Sequence, residues 1–300
     1  NNGKNHVITS AIEHPAVLNA CKWLEKRGFK VTYLPVDQSG RINPADLKSA
    51  VSKQTCLVSV MHANNETGAI QPIAEMVPIA HDAGAYFHTD GVQALGKIPV
   101  DVDRLGVDLF TVSAHKVYGP KGAGALYVRK GVSIESLVHG GGHEYGLRSG
   151  TENLSGIAGF GAACDMLPAV LDKMPELETL RDYLESGIRK LVPEYRLNGP
   201  RNNRLANTLN VTLPGYRGES VVVALGREGV YCSSGSACHA GSPDPSHALL
   251  EMGLPASDAH CALRFSLGEN TSRQDIADTI AILGEIFRES KSMVHFVPCR

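Results

Sequence analysis

Short runs of β-branched and aromatic residues alternate with amphipathic stretches along the chain as far as Arg129. Two of the amphipathic stretches, "PAVLNACKWLEKRG" and "PIAEMVPIAHDAG", end at glycine, which commonly terminates a helix. Strands that alternate with helices are typical of an α/β fold, in which helices cover both faces of a mostly parallel sheet. The predicted strands are "HVITS" (6–10), "KVTYLPV" (30–36), "CLVSVMH" (56–62), "AYFHTD" (85–90), "DLFTVS" (108–113) and "GALYVR" (124–129).

The pattern becomes helical between about Ser155 and Val192, where apolar residues recur at i, i+3 and i+4. Beyond this stretch we predict two strands, "TLNVTL" and "ALRFSLG", followed by a last helix, "RQDIADTIAILGEIFRES". These elements predict a smaller α+β unit. We therefore divide the chain into a large domain of residues 1–165 and a small C-terminal domain of residues 166–300.

Composition narrows the function without defining it. The 300 residues carry a net charge of −2, so electrostatics favour neither nucleic acid nor an anionic membrane as partner. No apolar run reaches the roughly 18 residues that a membrane helix needs. The seven cysteines include no C-x-x-C pair, which argues against a disulfide framework and a zinc ribbon. We expect a small-molecule or protein partner and a cytoplasmic or organelle-matrix setting.

Polar residues follow several of the predicted strands, and ligands of parallel sheets bind beyond the carboxyl ends of the strands. Asp90 ends one strand and precedes a predicted helix that carries Gln93, while Lys116 follows another strand. Taken alone, Asp90 could cap that helix and Lys116 could be a surface lysine. Together they are what pyridoxal phosphate requires, because the acid keeps the pyridine nitrogen protonated and the lysine forms a Schiff base. The pair predicts a site for that cofactor.

The chain resembles the cysteine desulfurase family of the class V aminotransferase group, which consists of fold type I pyridoxal phosphate enzymes. The resemblance implies a seven-stranded type of mostly parallel sheet sandwiched by helices, with a smaller α+β domain at the C-terminal end. It covers nearly the entire chain and is carried by the motifs "TSAIEHPAVL", "HANNETGAIQPI", "FHTDGVQALGKIPVDV", "SAHKVYGPKGAGALYVR", "HGGGHEYGLRSGTEN", "SSGSACHAG" and "ALRFSLG".

The resemblance implies a role for each residue around the cofactor ring. Lys116 corresponds to the Schiff-base lysine and Asp90 to the partner of the pyridine nitrogen. Gln93 corresponds to the hydrogen-bond partner of the phenolic oxygen. His14 corresponds to the histidine that stacks on the ring and transfers protons, although as a bare residue it could simply begin a helix. Asn65 matches a polar residue near the cofactor and the substrate carboxylate, a role that suits Asn64 less well.

Other motifs imply contacts to the phosphate and to the substrate. Ser113 and His115 match phosphate-binding side chains. Thr151 resembles a threonine that reaches the phosphate of the partner subunit, which implies a homodimer with sites completed across the interface. Arg264 matches the arginine that binds the substrate α-carboxylate, and a guanidinium suits that ligand because it binds bidentately and stays charged. A surface arginine is the alternative interpretation.

The type of reaction that the resemblance implies depends on the role of Cys238. Removing sulfur from L-cysteine requires a thiolate nucleophile, and the family places it at Cys238, giving L-alanine and a cysteine persulfide. Glycine, serine and proline around Cys238 indicate an exposed loop, whereas Cys232 in "GVYC" is expected to be buried. Acceptors of the sulfur would be iron–sulfur scaffolds, sulfur carriers or tRNA-thiolating enzymes.

The family also has a glycine- and threonine-rich phosphate loop upstream of the position where this sequence begins. "HGGGHEYG" does not replace it, because it follows the last strands of the sheet and does not open a helix. We therefore expect an N-terminal piece ahead of Asn1.

Four other functions remain open at this point. Selenocysteine lyase uses a similar site, and transamination uses the same scaffold. A noncatalytic module that docks sulfur acceptors belongs to a different functional class. Metal binding by His139 and His143 is the weakest alternative, because the three glycines between them disfavour the helix that would place both on one face.

Overall fold

The larger of two sheets contains six strands in a computed structural model of the chain, which describes residues 3–235 and 244–292. Five of the strands are parallel, in the spatial order β2-β1-β3-β4-β5, and β6 pairs antiparallel with β5 at one edge. The strands are β1 (His6–Ser10), β2 (Lys30–Leu34), β3 (Thr55–Ser59), β4 (Tyr86–Asp90), β5 (Leu109–Ser113) and β6 (Gly124–Val128). The mostly parallel sheet confirms the predicted fold class, with six strands among the described residues.

Strand order reverses between β1 and β3, because the chain passes from β1 to β2 on one side and then returns to β3 on the other. In register, Ile8 lies opposite Thr32 on one side and Val58 on the other. Every residue of β1 is buried, as expected for a central strand covered on both faces. Such a reversal opens a crevice at the carboxyl ends of the strands, where ligands of open parallel sheets bind.

Helices cover this sheet and bury its apolar side chains. They are α1 (Pro15–Glu25), α2 (Pro44–Ala50), α3 (Ile73–Asp82) and α4 (Val102–Leu105). Proline stands in the first turn of α1, where no intrahelical hydrogen bond is lost. Ile8, Val58 and Phe87 are completely buried in the resulting core.

The second unit surrounds a three-stranded antiparallel sheet, ordered β7-β8-β9, and has a core of its own. Its strands are β7 (Arg196–Leu197), β8 (Thr208–Thr212) and β9 (Ala262–Ser266). The remaining helices are α5 (Leu154–Asp165), α6 (Leu167–Asp172), α7 (Met174–Leu191), α8 (Gly218–Arg227), α9 (His247–Glu251), α10 (Ala256–Ala259) and α11 (Arg273–Ser292). None of the described helices is long and apolar enough to cross a membrane.

The prediction of a helix after Asp90 is wrong. The chain there forms consecutive turns, in which Ala94 and Leu95 donate their N–H groups to the carbonyl of Gly91. Gly96 adopts a left-handed φ of 73°, which interrupts any regular helix. Gln93 therefore lies in a turn held close to the end of β4.

Close packing of α7 against α11 depends on Gly187. A methyl group built at Gly187 would lie 2.4 Å from Cδ1 of Ile280, whereas one built at Gly226 in α8 meets no atom within 4 Å. We expect Gly187→Ala to lower the free energy of unfolding by about 1–3 kcal/mol through overpacking. The matched change Gly226→Ala should raise it by up to about 1 kcal/mol, since alanine favours a helix. Urea unfolding of both variants tests this, and equal stabilisation by the two would contradict it.

Candidate active site

Four predicted site residues follow the carboxyl ends of parallel strands and therefore share one edge of the sheet. His14 follows β1, Asn65 follows β3, Asp90 ends β4, and Lys116 follows β5. Charge interactions connect them, because both Asp90 and Lys116 act on the imidazole of His14. The structure thus brings together residues that are far apart in sequence, at the crevice beside the strand reversal.

His14 is fixed as the N-cap of α1. Its Nδ1 accepts a hydrogen bond from the backbone N–H of Ala16 at 3.2 Å. Burial lowers the pKa of the imidazole, the carboxylate of Asp90 opposes that shift, and the charge of Lys116 adds to it. A neutral ring with Nδ1 as acceptor carries its proton on Nε2, so that nitrogen is the one able to exchange a proton with a ligand.

Asp90 is a desolvated carboxyl group at the end of β4. Burial raises its pKa, while a hydrogen bond from the N–H of Val92 (3.0 Å) and the nearby imidazole of His14 act in the opposite direction. No lysine or arginine of the described residues forms an ion pair with Asp90. A protonated ring nitrogen would supply the positive partner that this carboxylate lacks.

Lys116 ends a single 3-10 turn, Ala114–Lys116, that continues from β5. The N–H groups of Val117 and Gly119 both donate to the carbonyl of Ala114, which folds the backbone tightly around the lysine. A methyl group at Gly119 would lie 2.9 Å from that carbonyl oxygen, so only glycine fits there. The Lys116 side chain is exposed, and a fixed backbone therefore presents an accessible amine.

Two further predicted ligands lie beside Lys116. Ser113 Oγ and His115 Nδ1 are hydrogen-bonded at 2.8 Å, which sets the orientation of both side chains. The hydroxyl and imidazole groups are of the type that bind phosphate oxygens.

Gln93 has a partner that the sequence did not indicate. Lys97 Nζ donates to Gln93 Oε1 at 2.6 Å. Burial, together with the charges of Lys116 and Arg264, lowers the pKa of Lys97 to about 8. Lys97 is therefore part of the cluster of charges around the predicted cofactor site.

Arg264 reaches from β9 of the second unit to the loop after β3. Its Nη1 donates to the backbone carbonyl of Asn65 at 3.0 Å, and its Nε is buried without a hydrogen-bond partner in the described part of the chain. A buried guanidinium donor left unused fits a carboxylate ligand, which could accept from it. Asn65 and Arg264 thus lie next to each other, as the predicted substrate site requires.

Asn64 is occupied with its own loop. Its Oδ1 accepts from the N–H groups of Glu66 and Thr67, both at 2.9 Å, and its Nδ2 donates to the carbonyl of Ile12. The side chain of Asn64 joins the loops after β1 and β3, which leaves the side chain of Asn65 as the one available for a ligand.

Two other predicted residues stand apart from this cluster. Thr151 is exposed, and no hydrogen bond between described residues joins it to the strand ends. Cys238 lies outside the described residues. Cys232 is partly buried, and burial raises the pKa of its thiol to about 12, so it stays protonated near neutral pH.

Two buried acids at the site were also missed by the sequence analysis. Glu13 accepts from Ser10 Oγ at 2.6 Å and from the N–H of Met61 at 2.8 Å, and burial raises its pKa to about 8. Glu66 accepts from Ser246 Oγ at 2.5 Å. Glu13 lies in "IEH" and Glu66 in "NNET", and neither local sequence indicates that its carboxyl group is buried.

The described residues fit pyridoxal phosphate. Lys116, Lys97 and Arg264 are cations without a carboxylate ion-pair partner in residues 3–235 and 244–292, which suits an anionic cofactor and an anionic substrate. Asp90 matches a protonated ring nitrogen, and the flat ring of His14 lies near both Asp90 and Lys116. Donors, charges and an accessible amine are therefore all present at one sheet edge.

Comparison with known proteins agrees with this arrangement. Residues 2–278 match the aminotransferase class-V family. Cysteine desulfurase IscS of Dictyoglomus turgidum is 49% identical over 289 residues, which are 96% of this chain and 73% of that protein. IscS of Methanosarcina thermophila is 46% identical over 294 residues, which are 98% of this chain and 72% of that protein.

Solved structures with the same fold give a consistent result. A NifS-like protein superposes with a TM-score of 0.88 at 38% identity, covering 95% of this chain and 76% of its own. The structure described as "SspA in complex with cysteine" superposes with a TM-score of 0.76 at 38% identity, covering 90% and 75%. The chain therefore belongs to the aminotransferase class-V family, enzymes of fold type I that depend on pyridoxal phosphate. Its identity to relatives over nearly its entire length places it among the cysteine desulfurases of that family.

Glu13 makes the stability of the fold depend on pH. Its pKa is about 8 in the folded state and about 4.5 when unfolded, so stability is lost as pH rises between these values. Between pH 6 and pH 8 we expect the free energy of unfolding of the native protein to fall by about 2 kcal/mol more than that of Glu13→Gln, because the variant has no proton to release at this position. Urea unfolding at both pH values measures this. The exposed Glu251→Gln serves as control, and identical pH dependence in Glu13→Gln and the native protein would contradict the assignment.

Proposed function

We propose that the enzyme removes sulfur from L-cysteine to give L-alanine and a persulfide on Cys238, using the residues gathered at the sheet edge. The observation that supports this most strongly is the linked charges of three residues: Asp90 and Lys116 both act on His14, and Lys116 and Arg264 both act on Lys97. They supply an accessible amine, a desolvated carboxyl group and a guanidinium Nε that has no partner among the described residues. SspA, a structural neighbour, is described as a complex with cysteine.

In this proposal the cofactor is held by residues on four strand ends. Lys116 binds it covalently, Asp90 pairs with the ring nitrogen, and His14 stacks on the ring. Gln93 and Asn65 contact its polar edge, while Ser113 and His115 bind the phosphate. Pyridoxal phosphate, when bound, supplies a protonated ring that withdraws electrons from the substrate α-carbon.

The residues of the chain supply orientation and proton transfer. Arg264 binds the α-carboxylate of cysteine through its guanidinium group, whose Nε has no hydrogen-bond partner among the described residues. Nζ of Lys116 would act as the base that accepts the proton of the substrate α-carbon. His14, neutral because of its lowered pKa, holds a proton on Nε2 and delivers it to the product.

Sulfur transfer requires a nucleophile that the ring cannot provide. The thiolate of Cys238 attacks the sulfur of the substrate, so that an S–S bond forms and the C–S bond breaks with its electron pair on carbon. That carbon takes up a proton, the α-carbon takes back the proton that Lys116 holds, and the product is alanine. The persulfide then passes its outer sulfur to an acceptor protein, for which we propose the classes that serve iron–sulfur cluster assembly and tRNA thiolation.

A homodimer would complete each site through Thr151. Leu137, Tyr145 and Leu154 are 91%, 100% and 76% exposed in the single chain, on either side of Thr151 in sequence. Large apolar side chains in such number favour burial against another surface. We propose that a second copy covers them and that Thr151 thereby reaches the phosphate in the partner's site.

The domain division and the compartment remain proposals as well. A boundary between residues 165 and 166 is supported by two separate cores, one around the large sheet and one within residues 177–287. A cytoplasmic or organelle-matrix location is supported by Cys21, Cys56, Cys164 and Cys232, which are free thiols.

Cys238 and Cys232 provide a matched pair for testing the nucleophile. Cys238→Ser should abolish alanine and sulfide production, because a hydroxyl cannot accept sulfur, and should leave the visible absorbance of the lysine-bound cofactor unchanged. Cys232→Ser should keep nearly native turnover, since its protonated thiol is not a nucleophile. Loss of turnover in Cys232→Ser with turnover retained in Cys238→Ser would reverse the assignment.

Mixed dimers test whether Thr151 acts in the partner's site. Thr151→Ala alone should weaken cofactor binding roughly tenfold, the effect of one hydrogen bond to a charged group. Dimers of one Lys116→Ala subunit and one Thr151→Ala subunit should regain a single site of native affinity, measured by visible absorbance at limiting cofactor. Mixed dimers that bind as weakly as Thr151→Ala would show that Thr151 acts within its own subunit or not at all.

A further inference from the structure

Lys97 has a position at the active site that the proposed mechanism does not use. It follows β4 by seven positions in the sequence, in the turns that also carry Gln93, and its Nζ lies 2.6 Å from Gln93 Oε1. No carboxylate of the described residues forms an ion pair with it. Gln93 is therefore the hydrogen-bond partner that the described part of the chain offers to this ammonium group.

The chemistry of the two side chains fixes how the amide is oriented. An ammonium group has three donors and no acceptor, so the amide atom that contacts it must be the carbonyl oxygen. The NH2 group of Gln93 then points away from Lys97 and is available as a donor. Without Lys97, either end of the amide could face a ligand, because the two ends are almost identical in shape.

We propose that Lys97 is a positioning residue that holds the amide of Gln93 so that its NH2 group donates to the phenolic oxygen of pyridoxal phosphate. This inference rests on the proposed function, in which Gln93 contacts that oxygen. A reversed amide would place its own carbonyl oxygen against an anionic oxygen, which is repulsive. Lys97 thus selects the one orientation that stabilises the cofactor.

The surroundings of Lys97 support a role toward an anion rather than a purely structural one. Lys97 and Lys116 line the same small pocket, and the charges of Lys116 and Arg264 both act on Lys97. Burying one cation beside two others is unfavourable unless a negative group joins them. The anionic cofactor would be that group.

A double-mutant cycle with an absorbance titration tests the proposal. The measured quantity is the pKa of the proton on the nitrogen that joins Lys116 to the cofactor, taken from the visible spectrum. A donor to the phenolic oxygen lowers this pKa, so Gln93→Ala should raise it by about one unit. In a Lys97→Met background, Gln93→Ala should raise this pKa by less than about a third of the shift seen with Lys97 present. The direct charge effect of Lys97 is the same on both sides of the cycle and cancels.

Controls separate orientation from charge and from loss of structure. Lys97→Arg keeps cationic donors and should preserve the full effect of Gln93→Ala, as should Lys121→Met, which removes an exposed lysine from the loop after Lys116. Gln93→Glu tests the contact with Lys97 intact. One carboxylate oxygen would pair with Lys97 and the other would face the phenolic oxygen, so the pKa should rise more than in Gln93→Ala.

The outcomes distinguish this inference from the proposed function. An equal shift from Gln93→Ala in the native and Lys97→Met backgrounds would overturn the role of Lys97 and leave Gln93 as a cofactor ligand. No shift in either background would overturn both, because Gln93 would then not touch the phenolic oxygen. If Gln93→Glu raises this pKa no more than Gln93→Ala does, the positioning role of Lys97 would likewise be contradicted.

Discussion

The parallel pairing of β1, β3, β4 and β5 is the constraint on which the site depends. Parallel strands place their carboxyl ends at one edge, so His14, Asn65, Asp90 and Lys116 meet although the sequence separates them widely. The reversal of strand order between β1 and β3 opens the crevice, and the side chain of Asn64 joins the two loops that border it. Loss of this pairing would disperse the proposed cofactor ligands, even if every side chain remained.

Charge is the second determinant of the site. Lys116, Lys97 and Arg264 form no ion pair with a carboxylate of the described residues, whereas the buried acid Glu13 has its pKa raised to about 8 and stays protonated near neutral pH. In the proposed function, Asp90 is the carboxylate that pairs with the ring nitrogen, and the positive charges face the phosphate and the substrate. Arg264 connects this cluster to the second unit, because it extends from β9 and bonds to the loop after β3. The proposed binding of a substrate carboxylate would therefore depend on both sheets.

Much of this could be predicted from the sequence, for identifiable reasons. The central strands are short apolar runs, and their ends carry the polar residues, so Asp90 and Lys116 could be assigned from pattern and chemistry together. The turns around Gln93 were predicted as a helix because periodicity does not reveal the left-handed Gly96. Lys97, Glu13 and Glu66 were missed because burial of a charged side chain depends on tertiary contacts, to which local sequence gives no guide. The role of Thr151 depends on a second chain and remains a prediction, as does that of Cys238, which lies outside the described residues.

The identity of the lysine that binds the cofactor is the most direct test of the account. Reduction of the holoenzyme with borohydride would fix the cofactor to its lysine, and peptide mass spectrometry would then locate it. Lys97 and Lys121 are the natural competitors, one half-buried near Lys116 and the other exposed in the following loop. The account predicts that the label lies on Lys116. A label on Lys97 or Lys121 would contradict it, because the covalent anchor would then not be the residue that follows β5 at the shared edge of the sheet.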